Sequence, residues 1–357
     1  MKDPRRIQRG NFKYPLEEIL FVAISSSICG ISDWDEMEMF GKDQINWFGK
    51  YFDFKYGIPS HDTISRLFNL LDPNEFCKYF VEWVDSLRTF VNKEVISVDG
   101  KTVKSSAEKS KGIKALHFVS AYAAENQLVL CQEAVNEKSN EITAVPKLLD
   151  MIVCKGAIIT VDALNTQTEI AKKVIEKEAD YIFALKGNHK FMHQSVIEAF
   201  EKQTVDSINI KDDLGHGRVE KRICSVISNL QFVDGAQNWD SIQTIIKIES
   251  ERYHKANGKN ETETRYYISS LQPDAELINK SIRQHWSIEN KLHWMLDVSF
   301  KEDASRKRKG YSTQNYSMIC KVALNLIKQG NGKGSYKKQK FKALLNHTER
   351  ELLMGLF

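Results

Sequence analysis

The sequence predicts a mixed α/β protein whose sheet-forming part is flanked by helical segments. Three observations lead to this fold class. Residues 1 to about 90 carry apolar side chains at helical spacing, residues from about 94 alternate short apolar strands with amphipathic helices, and residues from about 274 are helical again. A chain of 357 residues has room for two or three domains.

The N-terminal segment is predicted to be helical, with runs over residues 14–28 and 33–54. A turn at residues 57–59 follows, and Ser60 is a suitable N-cap for the next helix. A short turn leading into a helix that exposes Ser60 and Arg66 is what a helix-turn-helix presents to DNA. An ordinary helical hairpin has the same pattern, so both interpretations stay open.

The central part is predicted to be a sheet with parallel inner strands. Strands are expected at residues 95–100, 116–123, 127–134, 156–163 and 181–185, and helices at 143–153 and 166–178. The alternation is then interrupted by a β-rich region, which we expect to be an inserted hairpin layer over about 210–272. Its strands are predicted at residues 218–227, 241–249 and 262–270.

Two aspartates stand at the ends of predicted inner strands. Asp99 and Asp162 each follow a β-branched apolar run and precede a small residue. Carboxylates at the carboxyl ends of neighbouring strands converge, and their repulsion is relieved by a divalent cation. Oxygen ligands alone favour Mg²⁺ or Mn²⁺ over zinc. Strand-end aspartates also serve as helix N-caps, which is the alternative.

A third acid lies in an unusual helical pattern near the C-terminal end. His285, Glu289 and His293 are spaced to share one stripe of an α-helix, with tryptophans beside them. The stripe predicts either a functional site or a structural polar cluster. A zinc site is disfavoured because ligands at these positions would span about 12 Å.

Basic residues are concentrated towards the C-terminus. Between residues 301 and 342 there are twelve Lys or Arg residues and two acidic ones, a net charge of +10. The whole chain carries +4, so the remainder carries −6. This asymmetry favours a polyanion bound to one part of the protein. A solvated basic helix and tail is the alternative.

Several motifs together resemble one family. In order along the chain, the sequence is similar to the H-repeat-associated family of bacterial insertion-sequence transposases, of the DDE class, from about residue 15 to residue 329. The motifs that carry this resemblance are residues 57–63, 96–102, 136–142, 160–163, 184–188, 216–222, 285–298 and 302–306.

The resemblance implies a ribonuclease-H-like core with a β-rich insertion, preceded by a small helical domain and followed by a basic helical segment. It implies domains at about 1–90, 91–330 and 331–357. It also implies that Asp99, Asp162 and Glu289 are the catalytic acids and bind two Mg²⁺ or Mn²⁺ ions. The expected activity is cleavage at the ends of a mobile element and strand transfer into target DNA, by a homodimer on DNA.

The family resemblance and the positions of basic and polar residues together suggest a set of candidate DNA contacts. Related transposases with such an insertion carry Tyr-x-x-Arg-x-x-x-Glu, but here Ile282 and His285 occupy the Tyr and Arg positions, so Arg283 and His285 are the candidate replacements. The remaining candidates are basic or polar side chains: Lys101, Lys104, Lys186, Asn188, Arg218, Arg222 and His293. For Lys186 and Asn188 the alternative is an ordinary polar turn, and for Arg218 and Arg222 it is a salt-bridged sheet surface.

Composition excludes other classes. The longest apolar stretch, residues 19–31, is shorter than the roughly 20 residues of a membrane-spanning helix. The six cysteines contain no Cys-x-x-Cys pair and predict reduced core thiols. We expect a cytoplasmic, nucleoid-associated protein with no membrane partner and no small-molecule substrate. Two alternatives remain for its activity: a metal-dependent nuclease on the same core, and a catalytically silent, co-opted DNA-binding protein.

Overall fold

The computed structural model describes residues 1–5, 13–135, 141–215, 218–255, 258–330 and 332–356, without the side chains of residues 109, 215, 218 and 254. The N-terminal helices are α1 (Leu16–Ile28), α2 (Trp34–Asp43), α3 (Ile45–Phe48), α4 (His61–Leu70) and α5 (Pro73–Leu87). The predicted run over residues 33–54 is therefore broken, because α2 ends at Asp43. The predicted cap is confirmed, since the Ser60 hydroxyl accepts from the backbone N–H of Thr63.

The core follows in the predicted alternation. Its elements are β1 (Val95–Val103), β2 (Leu116–Ala123), β3 (Leu128–Val135), α6 (Glu141–Met151), β4 (Ile158–Val161), α7 (Thr168–Glu176), β5 (Asp180–Leu185) and α8 (Lys190–Lys202). Strands β1 to β3 are antiparallel neighbours, whereas β4 is parallel to β1 and β5 is parallel to β4. The order β3-β2-β1-β4-β5 confirms the ribonuclease-H-like core.

The β-rich insertion has a different arrangement from the expected layer. It holds β6 (Ser207–Gly215), β7 (Arg218–Ile227), β8 (Thr244–His254) and β9 (Lys259–Ser269). Strand β9 pairs antiparallel with β5, so the insertion continues the core sheet edge to edge and the described strands form one nine-stranded sheet. Strand β6 was not predicted from the sequence. Its apolar and polar residues alternate only briefly, and most of them are exposed.

The C-terminal part is helical, as expected. It contains α9 (Ala275–His285), a π-helical segment (Ile288–His293), α10 (Trp294–Val298), α11 (Ser312–Gln329), α12 (Tyr336–Leu345) and α13 (His347–Met354). Helix α9 lies across one face of the sheet, over β1, β4 and β5 as well as β6 and β7. The described cysteines are free and buried. Among the described residues, no helix is both long and apolar enough to cross a membrane.

Helix α11 holds the N-terminal helices against the core. It packs against α1, α4 and α5 on one side and against β3 on the other, within one continuous apolar cluster. The Asn315 amide donates to the backbone carbonyls of Phe68 and Leu71, both at 2.8 Å. These two carbonyls close the end of α4, where the helix leaves its last oxygens without partners. The orientation of α4 relative to the sheet is therefore fixed by buried hydrogen bonds.

Several cations of the basic segment lie inside the fold. The Lys307 ammonium is 4.7 Å from the Trp34 ring centroid and 4.1 Å from that of Tyr316. Lys340 lies over the Phe300 ring, and burial lowers its pKa to about 8. Lys321 is 1% exposed. Buried cations of this kind stabilise the fold through aromatic rings and carboxylates, so the solvated part of the segment is less basic than its sequence indicates.

A buried ion cluster joins α11 to β1. Glu302 accepts from Lys101 at 2.9 Å and from the Ser317 hydroxyl at 2.6 Å, and Lys321 lies 3.6 Å away. Lys101 also pairs with Asp297 at 2.7 Å. Burial alone would raise the pKa of Glu302, but Lys321 and Lys101 outweigh it and lower that pKa to about 2. The carboxylate is therefore ionised and compensates two buried ammonium groups.

A second buried polar chain runs from β1 to the loop after β4. The His117 ring links the Thr102 hydroxyl at 2.8 Å to the Glu141 carboxylate at 2.7 Å. The Asn165 amide then joins Glu141 at 2.9 Å to Asp162 at 3.0 Å. This chain of hydrogen bonds connects β1, β2 and α6 to Asp162. It gives hydrogen-bond partners to buried polar groups that would be costly to bury without them.

We expect Glu302→Gln to lower the free energy of unfolding by about 3–5 kcal/mol, because it removes the carboxylate that the buried Lys321 and Lys101 share and leaves Lys101 with Asp297 alone. Urea denaturation measures this. The control is Glu276→Gln in an exposed pair with Lys211, with an expected loss below about 1 kcal/mol. The folded-state pKa lies below the ordinary value, so the carboxylate's contribution is present above about pH 4.5 and is lost as the pH falls towards 2. An equal loss in both variants would contradict the ion cluster.

We expect Gly100→Ala to destabilise the protein by about 1–3 kcal/mol. A Cβ there would lie 2.4 Å from His117 Nε2 and 2.5 Å from Glu141 Oε1, both held by the polar chain. Gly187→Ala is the control, because a Cβ at that position meets no atom within 4 Å. An unchanged melting temperature in both variants would contradict this prediction, because it would show that His117 and Glu141 move away from the new Cβ without loss of stability.

Candidate active site

The first two acids lie at adjacent positions on neighbouring parallel strands. Val98 of β1 is in register with Val161, the last residue of β4, so Asp162 directly follows β4 and Asp99 lies at the matching position within β1, where its pairing with β4 ends. Side chains alternate between the two faces of a strand. Val95 packs in the small apolar cluster under α9, and Asp99 shares that face because it lies an even number of residues further along β1.

The third acid reaches the same place from the π-helical segment. Glu289 and His293 lie in the wide turns between α9 and α10, where the segment contacts β1. Single π-turns often occur at functional sites. The wider turn corrects the expected α-helical stripe: His293 turns towards Asp99, whereas His285 donates or accepts a hydrogen bond at 2.9 Å with Thr160 on β4.

Asp99, Glu289 and His293 form a compact donor cluster. The His293 Nδ1 atom lies 3.7 Å from Asp99 Oδ2 and 3.5 Å from Glu289 Oε2. One ligand atom from each of the three residues lies within 4.8 Å of the other two. Glu289 is exposed and His293 is buried, so the cluster opens to solvent on one side.

The electrostatics of the cluster favour a bound cation. Burial, together with the neighbouring Glu289 and Asp162 carboxylates, raises the pKa of Asp99 to about 8, against a hydrogen bond from the Gly100 N–H. The neighbouring His293 imidazole lowers the pKa of Glu289. A buried carboxylate with like charges around it is costly, and a divalent ion with oxygen ligands relieves that cost. The donor set fits such an ion.

Asp162 is oriented by its own loop. Its Oδ1 atom accepts from the backbone N–H and the side-chain amide of Asn165, at 3.1 and 3.0 Å. Through Asn165 it is tied to the buried Glu141. Asp162 is outside the compact cluster of donor atoms, but its carboxylate is close enough to raise the pKa of Asp99.

A cavity of about 330 Å³ opens beside Asp162, between the ends of β4, β5 and β9 and helix α9. Its wall is largely apolar and aromatic, and the Arg265 guanidinium stacks on the Trp286 ring at 4.7 Å. The exposed Lys186 and the half-buried His285 also line it. Burial lowers the pKa of His285 to about 4, so its ring is neutral at pH 7.

Three of the expected DNA contacts are engaged inside the protein. Lys101 is bound to Asp297 and Glu302, Arg222 is buried beside Asn279 and Glu220, and His285 is neutral against Thr160. Their charge is compensated or absent. We therefore base the proposed DNA-facing surface on the other candidates, and the roles of Lys101, Arg222 and His285 as DNA contacts stay predictions.

Most of the other predicted DNA contacts that the structure describes are exposed, and some of them have partners within the protein. Arg66, Lys104, Lys186 and Asn188 are exposed, although Lys104 pairs with Asp303 at 3.2 Å and Asn188 donates to the Ala163 carbonyl. Arg283 is 44% exposed and lies near Asp213 and Glu220. The side chain of Arg218 and the motif residues 136–140 and 216–217 lie outside the described part of the chain.

Two features of the site were not foreseen. His293 was expected to face DNA, but it lies against the acids; only its spacing from Glu289 pointed there. Glu141 lies in the motif of residues 136–142, to which the sequence assigns no role, yet it is 1% exposed and anchors the chain that reaches Asp162. Its place in that motif is the one signal of it in the sequence.

Comparison with known proteins gives a consistent family. Residues 92–326 match the family described as Transposase DDE domain, and residues 1–84 match the one described as DDE_Tnp_1-associated. The chain is 39% identical over 348 residues to "Putative transposase YncI" of Escherichia coli O157:H7, covering 95% of this chain and 89% of that protein.

Two further matches extend the comparison. The chain is 37% identical to "H repeat-associated putative transposase YhhI" of Escherichia coli (strain K12), covering 90% of this chain and 86% of that protein. A cryo-EM structure of the piggyBac transposase synaptic complex with hairpin DNA aligns with 99% of this chain and 75% of that chain, at 10% identity and a TM-score of 0.44. On the family match and the curated relatives, the chain belongs to the DDE transposase family of insertion sequences.

Proposed function

We propose that this transposase cuts DNA at the ends of its own mobile element and joins those ends to target DNA, with Asp99, Asp162 and Glu289 as its catalytic acids. The observation that supports this most is the meeting of carboxylates from β1 and from the π-helical segment beside the end of β4. Asp99 and Glu289 are far apart in sequence and meet here, Asp162 lies at the end of the adjacent strand, and Glu289 is the most exposed of the three acids.

The three acids are proposed to hold Mg²⁺ or Mn²⁺, two ions in all. Such ions lower the pKa of an attacking water or 3′-hydroxyl and stabilise the leaving oxygen. The protein's own contribution is positional. Asn165 fixes the Asp162 carboxylate, the Gly100 N–H supports Asp99, and His293 orients Glu289. Rigid ligands are needed because small displacements of reacting groups reduce rates strongly.

The proposed DNA-facing surface uses the exposed candidates. Lys186 and Asn188 lie at the mouth of the cavity beside Asp162 or on the turn next to it, and Lys104 follows β1. Arg283 lies on α9, and Arg66 on the exposed side of α4 with Ser60 at its start. Phosphate contacts of this kind position DNA without reading its sequence. We further propose that the protein acts as a homodimer on DNA, in the cytoplasm and associated with the nucleoid.

We expect Asp99→Asn and Glu289→Gln each to reduce cleavage of element-end DNA by more than about 100-fold, because outer-sphere residues of metal sites already account for 10–100-fold. DNA binding, measured by fluorescence anisotropy, is expected to persist. Circular dichroism checks that each variant folds. Glu276→Gln, on the exposed side of α9, is the matched control and should cleave at the wild-type rate. Cleavage by Asp99→Asn at the wild-type rate would refute its assignment.

A strand-transfer assay separates transposase from nuclease. With pre-cleaved element ends, target DNA and Mg²⁺ or Mn²⁺, we expect joined products that disappear when EDTA removes the ion. Free fragments without joined product would instead indicate a metal-dependent nuclease. Specific DNA binding with neither product would indicate a co-opted DNA-binding protein.

A further inference from the structure

The His293 imidazole is placed differently from the other histidines of the site region. His117 makes two hydrogen bonds of 2.7 and 2.8 Å, and His285 makes one of 2.9 Å. His293 is 6% exposed, its Nδ1 faces two carboxylates at 3.5 and 3.7 Å, and its buried Nε2 has no hydrogen-bond partner among the described residues. A structural role therefore leaves this ring poorly satisfied.

The distances around His293 match those of ligands around an ion. Hydrogen bonds from nitrogen to oxygen are usually about 2.7–3.2 Å long, shorter than both separations. Donors bound at about 2.0–2.2 Å from a divalent cation lie about 3–3.6 Å apart when adjacent and about 4.0–4.4 Å apart when opposite. The 3.5 Å between His293 Nδ1 and Glu289 Oε2 falls in the range for adjacent ligands, and the 3.7 Å to Asp99 Oδ2 lies just beyond it. One donor atom from each of the three residues lies within 4.8 Å of the other two.

We propose that His293 is a nitrogen ligand of one of the divalent ions, together with Asp99 and Glu289. This inference rests on the proposed function, and it adds a fourth residue to the three acids. An imidazole changes what the site selects, because nitrogen donors favour Mn²⁺ over Mg²⁺ more strongly than carboxylates alone. The site then combines two oxygen donors with one nitrogen donor and prefers Mn²⁺.

The competing role for His293 is a protonated ring that only neutralises the acids. That role and the ligand role predict different spectra, since only a coordinated imidazole brings nitrogen into direct contact with the ion. Electron spin-echo envelope modulation of Mn²⁺ bound to the full-length protein detects this nitrogen. We expect the ¹⁴N modulation in the wild type and its loss in His293→Ala.

Equilibrium binding of the bare ions provides the second measurement. We expect His293→Ala to bind Mn²⁺ at least about tenfold more weakly and Mg²⁺ less than about threefold more weakly, because nitrogen contributes more to Mn²⁺. His293→Asp replaces nitrogen with oxygen and should restore ion binding with a preference shifted towards Mg²⁺. His61→Ala is the control for adventitious binding, since that imidazole is exposed on the N-terminal helices.

The outcomes keep this inference separate from the proposed function. If Asp99→Asn abolishes Mn²⁺ binding but the wild type shows no ¹⁴N modulation, the acid site stands and His293 is not a ligand. Unchanged Mn²⁺ affinity in His293→Ala also overturns the inference. If Asp99→Asn binds Mn²⁺ as the wild type does, both the acid site and the His293 assignment fail.

Discussion

Repulsion between carboxylates governs the centre of this protein. The parallel register of β1 and β4 brings Asp99 beside Asp162, and the π-helical segment, which contacts β1, brings Glu289 to Asp99. Burial and these like charges raise the pKa of Asp99 to about 8. Hydrogen bonds from Gly100 and Asn165 hold Asp99 and Asp162 in place, and the remaining excess of negative charge favours a bound cation.

The buried cations close to the site have carboxylate partners inside the fold. Lys101 lies two residues beyond Asp99, and its bonds to Asp297 and Glu302 fasten the end of β1 to the helices behind it. Burying this many charges costs desolvation free energy, which is offset only where each carboxylate and ammonium group has a partner of opposite charge. The result is a rigid frame around acids that would otherwise move apart.

Much of this could be predicted from local patterns. Apolar runs ending in Asp99 and Asp162 identified the inner strands, and Ser60 identified a helix start, because such features depend on neighbouring residues. The π-turn could not be foreseen, since an α-helical period was assumed through Glu289. The burial of Lys101 and Arg222 could not be predicted because their partners, Glu302 and Asn279, are distant in sequence. The burial of Lys307 could not be predicted because its partner is the aromatic ring of the distant Trp34. Charge counts treat every cation as solvated.

The fastening of α4 to α11 fixes a distance inside the protein. Asn315 of α11 binds the end of α4 while α11 packs on β3, so α4 and the acids keep one separation. If α4 contacts element-end DNA as proposed, the interval along the duplex between that contact and the scissile bond is fixed as well.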